Sequence, residues 1–195
     1  MPTCTFVTGN PNKVREVRAI LGTTIPVESV ALDIPEIQGT LEEIARDKCR
    51  RAAMIVDGPV VVEDSALEFR AMNGFPGPYI KDFLESIGND GLNRLLLPYD
   101  DKHAEAVCTV AFTAGPAMEP LLFQGRLKGQ IVPARGPPRF GWEPIFEHQR
   151  ETLAEMEHEK KNRLSHRYQA LFQFQAWLAQ DDNRATYLPE SQFQS

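Results

Sequence analysis

The stretch FVTGNPNKVREV, residues 6–17, predicts the strand-to-helix unit with which the fold begins. Its apolar start ends a first strand, and Thr8-Gly9-Asn10 forms the turn that follows. The asparagine is a good N-cap and Pro11 a good first helical residue, so a helix is expected from Pro11 to a stop at Gly22. Lys13 then lies in the first helical turn, where the helix dipole disfavours a cation by up to ~1 kcal/mol. This combination is typical of a place that binds an anion.

Two interpretations of this turn remain open from the residues alone. In the first, the backbone N–H groups, hydroxyl, amide and ammonium of Thr8-Gly9-Asn10 and Lys13 converge on a phosphate. In the second, a simple strand-to-helix turn is followed by a solvated lysine. A short glycine-containing turn is weak evidence by itself, so the choice depends on the rest of the chain.

Strands and helices alternate in the first half of the chain. Val60 to Val62 is an apolar run typical of a strand covered on both faces, and we expect that strand to stop at Glu63-Asp64-Ser65. Thr40 and Glu43 form a capping box before an amphipathic pattern. The remaining predicted elements are strands over residues 26–34, 104–113 and 121–132, the last two as a hairpin, and helices over 41–56 and 165–179. The fold class is therefore α/β with a mixed sheet.

The composition limits both location and partners. The 195 residues fit one domain over residues 1–180, followed by a polar and mobile tail over residues 181–195. A net charge of −6 argues against a nucleic-acid binder. The three cysteines have no metal-ligand spacing, and their scatter fits a reducing compartment. With no signal-peptide pattern and no apolar run near the ~20 residues of a membrane span, we expect a cytoplasmic protein without membrane contact.

Three carboxylates are candidate metal ligands. Glu63 and Asp64 follow a buried strand, where α/β proteins place their chemistry, and Glu36 lies in the loop PEIQG. Carboxylates that leave room for water suit Mg²⁺, which binds through one or two of them together with substrate phosphates. Consecutive strand residues point to opposite faces, so only one of Glu63 and Asp64 would enter a given cleft. The alternative is that Asp64 or Ser65 only caps the next turn.

Several cations are candidates for contact with an anionic ligand. Lys48 falls on the apolar stripe of its predicted helix, where it either extends its head to water or points into a cleft with Lys13. Lys81 is also a candidate for contact with the ligand, but it is less informative because the segment PYIKDF could place it on a solvent face. The segment EKKNRLSHRYQ, residues 159–169, is most often a solvated face, yet it places Ser165-His166-Arg167 near a helix start. Two helix starts with unfavourable cations in an acidic protein indicate one polyanionic ligand.

The ligand is predicted to be a nucleotide. The loop Phe140-Gly141-Trp142 offers aromatic side chains that can stack on a base. The P-loop pattern G-x-x-x-x-G-K-[ST] and the dinucleotide pattern G-x-G-x-x-G are both absent from the sequence. The residues alone therefore indicate a Mg²⁺-dependent nucleotide enzyme that is neither a P-loop NTPase nor a Rossmann oxidoreductase.

Six segments together resemble the inosine triphosphate pyrophosphatase family, in its eukaryotic branch. They are FVTGNPNKVREV, VVVEDSALEF, GFPGPYIKDFL, GRLKGQIVPARG, FGWEPIF and EKKNRLSHR, in the family's order, and the resemblance runs from about Thr5 to Leu178. It implies hydrolysis of noncanonical purine nucleoside triphosphates (ITP, dITP and XTP) to the monophosphate and pyrophosphate, which cleanses the nucleotide pool. It also implies Mg²⁺, with Mn²⁺ as a substitute, and a homodimer. The implied fold is an elongated mixed sheet with flanking helices, and two lobes around a central nucleotide-binding cleft.

The resemblance also implies residue roles at the phosphate end of the substrate. The triphosphate would be bound by Thr8, Gly9, Asn10, Pro11, Asn12 and Lys13, with further polar contacts from Lys48, Ser65 and Lys81. Glu36 and Asp64 would hold Mg²⁺ with support from Glu63, and Asp64 would activate the attacking water. The catalytic group would then be Asp64, Lys13 and Glu63. Pro11 is a departure from the commonest pattern, because it removes one backbone donor from the turn.

At the base end, the resemblance implies contacts from the residues Phe140, Gly141, Trp142, Glu143, Lys161, His166 and Arg167, with Phe140 stacking on the base. Donors on His166 or Arg167 would accept a 6-oxo purine and leave adenine mismatched, a filter that can reach ~10⁴-fold. Glu143 stands where many family members have Asp. Two rival functions stay open, namely a related pyrophosphatase with another base preference and a nucleotide sensor without turnover.

Overall fold

The computed structural model describes residues 4–22, 26–138 and 140–187. The strands are β1 (Cys4–Val7), β2 (Val27–Val30), β3 (Val60–Phe69), β4 (Pro76–Gly77), β5 (His103–Thr113), β6 (Leu121–Ile131), β7 (Phe146–His148) and β8 (Glu151–Thr152). The helices are α1 (Pro11–Leu21), α2 (Leu41–Val56), α3 (Ile80–Leu95), α4 (His158–Leu164), α5 (His166–Leu178) and α6 (Asp181–Tyr187). None of these helices is both long and apolar enough to cross a lipid bilayer.

The sheet is mixed, as the sequence predicts. Its strand order is β2-β1-β3-β5-β6-β7-β8, with β4 paired to β3. Strand β1 runs parallel to both β2 and β3, whereas the pairs β3–β4, β6–β7 and β7–β8 are antiparallel. Strands β5 and β6, predicted as a hairpin, are neighbours in this order. The α/β fold class with flanking helices is therefore confirmed.

The predicted ends of α1 and α2 are correct because both are set by local signals. In α1, the Asn10 side chain accepts from two backbone N–H groups of the first turn, Pro11 is the first helical residue, and Gly22 closes the helix with φ 57°. In α2, Thr40 and Glu43 form the predicted capping box. Strand β2 is shorter than predicted, with four residues.

Strand β3 corrects one prediction, because it does not stop at Glu63 but continues to Phe69. The residues beyond the carboxylates supply the apolar contacts that a strand needs, since Ala66, Leu67 and Phe69 are all fully buried. The acidic residues in mid-strand are tolerated because lysines from other elements contact them.

The chain divides into two compact units, each with its own core. The first comprises Met1–Asp64, Thr109–Gln124 and Tyr168–Ser195, and the second Ser65–Cys108 and Gly125–Arg167. In the first unit, one buried cluster consists of Val7, Ala45, Cys49, Ala52, Ala53, Val60, Val62 and Ala111. The second unit has a buried cluster built around residues such as Phe69, Leu92, Trp142 and Phe146.

The C-terminal helices differ from the prediction in two ways. Ser165 has an extended backbone and separates α4 from α5, so the predicted last helix begins at His166. Helix α6 occupies the start of the segment predicted as a mobile tail. Its Tyr187 ring lies 5.0 Å from Trp177 and 6.4 Å from Phe112, centroid to centroid. That aromatic packing stabilises α6, and residues 188–195 of the predicted tail lie outside the described residues.

Candidate active site

The turn between β1 and α1 satisfies three of its backbone donors internally. The N–H of Asn10 donates to Thr8 Oγ1 at 3.1 Å, and those of Asn12 and Lys13 donate to Asn10 Oδ1 at 2.9 and 3.4 Å. Pro11 has no N–H. In this structure, the turn therefore offers an anion its side-chain donors, namely the Thr8 hydroxyl, the Asn10 amide and the Lys13 ammonium, rather than these backbone groups.

Lys13 is held by a single residue of β3. Its Nζ lies 3.0 Å from Glu63 Oε2 and donates to the Glu63 carbonyl oxygen at 3.1 Å. The Glu63 side chain is 0% exposed, whereas that of Lys13 is 17% exposed. The ammonium thus lies at the surface end of a buried ion pair, where an external anion can reach it.

Lys48 of α2 bridges two carboxylates. Its Nζ lies 2.5 Å from Asp64 Oδ1 and 3.0 Å from Glu36 Oε1. Burial lowers the pKa of this ammonium, but the charges and hydrogen bonds of Asp64 and then Glu36 outweigh burial and raise the pKa above its ordinary value. Lys48 is therefore charged at neutral pH and points at carboxylates rather than extending into water.

We call these five residues, Lys13, Glu36, Lys48, Glu63 and Asp64, the carboxylate–lysine cluster. Glu63 and Asp64 contact different lysines, as the alternation of side chains along a strand requires. Two lysines face three carboxylates, so the cluster carries a net charge of −1 when all five are ionised. An isolated triphosphate would not be attracted to a cluster of that sign.

The cluster fits a divalent ion in its donor types. Asp64 Oδ2 is buried and accepts no hydrogen bond from the described part of the chain. Across residues 4–22, 26–138 and 140–187, no group of three or more His, Cys, Asp or Glu side chains is placed to hold a metal ion. Mg²⁺ binds through one or two carboxylates, with waters and substrate phosphates completing its shell. Glu36 and Asp64 are a suitable pair.

A second set of residues, all in the second unit, surrounds Phe140. Lys161 Nζ lies 2.8 and 3.1 Å from the two carboxylate oxygens of Glu143, and both side chains are buried. The same Nζ is 5.8 Å from the centre of the Phe140 ring, and Arg167 Cζ is 5.5 Å from it. Cations at these distances are attracted to an aromatic ring.

The start of α5 joins this set through two contacts. The rings of His166 and Trp142 lie 5.5 Å apart. Arg167, which is 1% exposed, donates from a terminal guanidinium nitrogen to Ser65 Oγ at 3.0 Å. We call the residues Ser65, Phe140, Trp142, Glu143, Lys161, His166 and Arg167 the aromatic–cation cluster. A planar ring beside buried, hydrogen-bonding cations has the chemistry needed to bind a purine.

Two predicted site residues lie apart from these contacts. Lys81 is exposed in the first turn of α3, and no hydrogen bond or ion pair among the described residues joins it to the aromatic–cation cluster. Gly141 contributes backbone only, with φ 52°. Its carbonyl accepts from Asn89 Nδ2 at 3.2 Å. Sequence reasoning missed Asn89, because nothing near it in the sequence indicates a contact with a loop 52 residues away.

Comparison with known proteins gives consistent matches. A family model described as the Ham1 family matches residues 4–177. A protein of Ajellomyces capsulatus named inosine triphosphate pyrophosphatase is 58% identical over 180 residues, which is 92% of this chain and 98% of that protein. Its namesake from Aspergillus oryzae is 63% identical over 175 residues, covering 89% and 92%. The structure of a HAM1 protein from Coxiella burnetii superposes with a TM-score of 0.82 at 27% identity, covering 91% of this chain and 98% of that one.

These matches confirm the family resemblance found in the six sequence segments, and the two named relatives are fungal, as the eukaryotic character of those segments implies. The family model spans both clusters, from Lys13 to Arg167. This chain belongs to the Ham1 family.

Proposed function

We propose that this protein hydrolyses noncanonical purine nucleoside triphosphates (ITP, dITP and XTP) to the monophosphate and pyrophosphate. The observation that carries the proposal is the carboxylate–lysine cluster, in which adjacent residues of β3 each bind a lysine from a different helix. Relatives named inosine triphosphate pyrophosphatase, at 58% and 63% identity, support the substrate class. The proposed role in the cell is removal of deaminated purine nucleotides from the pool.

Glu36 and Asp64 are proposed to hold Mg²⁺, for which Mn²⁺ would substitute. The ion would supply positive charge next to the phosphate oxygens. The charge count supports this, because the cluster has one more carboxylate than lysine. A divalent ion would change the net charge of the cluster from −1 to +1, so the cluster would then attract a polyanion. The free Oδ2 of Asp64 offers it a ligand.

The proposed mechanism is attack of water on the α-phosphorus. Asp64 accepts a proton from the water while the water oxygen bonds to the α-phosphorus. The bond from the α-phosphorus to the bridging oxygen breaks, and pyrophosphate leaves with that oxygen. Lys13 and Lys48 offset the negative charge that develops on the phosphate oxygens.

The aromatic–cation cluster is proposed to bind the base, with Phe140 stacking on it. His166 and Arg167 would donate to the 6-oxo group of hypoxanthine or xanthine. Adenine would present its 6-amino donor to these donors, and a buried mismatch of this kind can discriminate by ~10⁴-fold. Trp142 beside His166 would fix the imidazole in place.

Product identity tests the proposal. The protein is incubated with Mg²⁺ and each of ITP, dITP, XTP, ATP, GTP, dTTP and UTP, and nucleotides, pyrophosphate and orthophosphate are measured separately. IMP with pyrophosphate, and ATP nearly untouched, is the expected result. IDP with orthophosphate would refute the position of attack. Preference for dTTP or UTP would support the rival base preference, and tight ITP binding without turnover would support the sensor.

Three wider properties belong to the same proposal. The catalytic domain spans residues 1–180, and the protein forms a homodimer, which light scattering at working concentration tests. The proposed location is the cytoplasm, and the three cysteines, all buried thiols, are consistent with a reducing compartment. Fractionation with a tagged full-length chain tests the location.

A further inference from the structure

Glu63 stands apart from the other acidic residues of its cluster. Its side chain is 0% exposed, whereas Asp64 is 17% and Glu36 50% exposed. The next residue along β3, Asp64, has a carboxylate oxygen that accepts no hydrogen bond within the described residues. Glu63 instead directs a carboxylate oxygen at Lys13. A buried side chain that is bound to an ammonium is poorly placed to meet a water or a phosphate.

The hydrogen bonds of Lys13 define what Glu63 does to it. An ammonium has three N–H donors. Within the part of the chain that the structure describes, Lys13 Nζ makes two contacts, and both are to Glu63, one to the carboxylate and one to the carbonyl oxygen. One N–H is left for a ligand. Because the other two N–H groups are fixed by the same residue, Glu63 also sets the direction of the third N–H.

We propose that Glu63 is a positioning residue that acts through Lys13. It fixes the ammonium so that the remaining N–H meets the phosphate chain, and it neither accepts a proton from water nor contacts the substrate. This inference rests on the proposed function. It assigns the two adjacent carboxylates of β3 different tasks, Asp64 in the reaction and Glu63 in the placement of a lysine.

A double-mutant cycle with ITP and Mg²⁺ tests it. Wild type, Glu63→Gln, Lys13→Met and the double variant are compared in kcat and KM. Because Lys13 is proposed to act on the phosphate oxygens, E63Q is expected to lower kcat/KM for ITP about 10-fold or more through Lys13, and by no more than K13M does. In the double variant, kcat/KM is expected to equal that of K13M, because Glu63 then has nothing to position.

Two results would overturn the inference. One is a loss of kcat/KM in E63Q that is larger than the loss in K13M, which would give Glu63 a part of its own in the chemistry. The other is a double variant whose loss is the product of the two single losses. The matched control is Glu119→Gln, since Glu119 is 61% exposed and paired with Arg46 and Arg50 on the surface of the same unit. It is expected to behave as wild type.

Folding and function are kept separate by two further measurements. If K13M does not fold, Lys13→Ala, which also leaves no donor for Glu63 to hold, replaces it in the cycle. If wild type does not hydrolyse ITP, the proposed function fails by itself. The same cycle is then measured on calorimetric binding of inorganic pyrophosphate with Mg²⁺, where E63Q must weaken binding only when Lys13 is present. Equal weakening in both backgrounds would refute the role of Glu63.

Discussion

The ammonium of Lys48 lies 2.5 Å from Asp64 Oδ1, so the carboxylate proposed to activate water is already bound to a cation of the protein itself. The same ammonium contacts Glu36 Oε1 at 3.0 Å. Lys48 therefore lies between the two carboxylates that are proposed to hold Mg²⁺. It acts as their internal counter-ion, and a divalent ion must bind against its charge.

Replacing Lys48 should strengthen metal binding while weakening catalysis. Lys48→Gln removes one positive charge that lies within 3.0 Å of both proposed ligands, and a unit charge about 4 Å from another is worth about 1–4 kcal/mol. We expect Mn²⁺ to bind about 10-fold more tightly in the absence of nucleotide, as measured by the loss of the free Mn²⁺ signal in electron paramagnetic resonance. The value of kcat/KM for ITP should fall, because the charge that offsets the phosphates is lost.

Lys160→Gln is the control for this experiment, since Lys160 is half exposed and pairs with Glu151 in the other unit. It should leave Mn²⁺ affinity unchanged. Weaker or equal Mn²⁺ binding in K48Q would show that the ion does not use Glu36 and Asp64.

Asp64→Asn should abolish most of the activity. The amide cannot accept a proton, and general-base catalysis contributes about 10²–10⁴-fold. The loss is expected in kcat and is measured by pyrophosphate release under saturating ITP. Asp57→Asn serves as control, because Asp57 ends α2 with φ 52°, a conformation that Asn adopts readily. A D64N variant with more than a tenth of wild-type kcat would remove Asp64 from the mechanism.

Arg167→Met should relax the choice of base. Met keeps the apolar part of the side chain but removes the guanidinium beside Phe140 and its bond to Ser65. A hydrogen bond to a charged group is worth about 1.5–3 kcal/mol, so kcat/KM for ITP should fall about 10- to 100-fold while that for ATP changes little. Competition between ITP and ATP measures the ratio. The exposed Arg163→Met in α4 is the control, and an unchanged ratio in R167M would disprove the donor role.

Glu143→Gln should destabilise the protein. It leaves the buried Lys161 without its carboxylate partner, and breaking a buried ion pair from one side costs about 3–5 kcal/mol. Urea unfolding measures the change in free energy. The double variant Glu143→Gln/Lys161→Met should recover part of the loss, because no buried charge is then uncompensated. A single variant within about 0.5 kcal/mol of wild type would mean that the pair is not buried in solution.

The thiols of Cys4 and Cys49 should be unreactive in the folded protein. Burial raises the pKa of both, with Cys49 adding to the effect on Cys4, and the pKa of Cys49 rises from 9.0 to about 12. At pH 8 we expect DTNB to label neither thiol until guanidinium is added. Labelling of either cysteine in the native protein, located by mass spectrometry, would contradict this.

The raised pKa of Cys49 also makes the stability of the folded protein depend on pH. A raised pKa means that the folded state keeps its proton where the unfolded chain loses it. The contribution of the Cys49 thiol to the free energy of unfolding is therefore complete below pH 9.0 and is lost as the pH rises toward 12. Urea midpoints should fall across that window, and Cys49→Ser should lessen the fall.

Local signals made part of this structure predictable. The ends of α1 and α2 follow from caps within a few residues of each other, and both were predicted correctly. The end of β3 was predicted wrongly, because the carboxylates within the strand are stabilised by lysines from elsewhere in the chain. Lys13 is 50 residues from Glu63, and Lys48 is 16 residues from Asp64. Likewise, the residue types at Glu143 and Lys161 suggested a site, whereas their direct pairing depends on the fold. Ser65 and Arg167 meet across 102 residues, a contact that no spacing indicates.

The mid-strand position of Glu63 and Asp64 has a consequence for how this family can change. The pairing of Thr5 with Val60 and Phe6 with Val61 fixes β3 against β1 just before the carboxylates. One residue inserted after Val61 would turn every later side chain to the opposite face. Each carboxylate would then point away from its present lysine. A point substitution at one of these positions affects one ion pair, whereas a single-codon insertion disrupts both ion pairs at once. The length of this strand should therefore vary less in evolution than its composition.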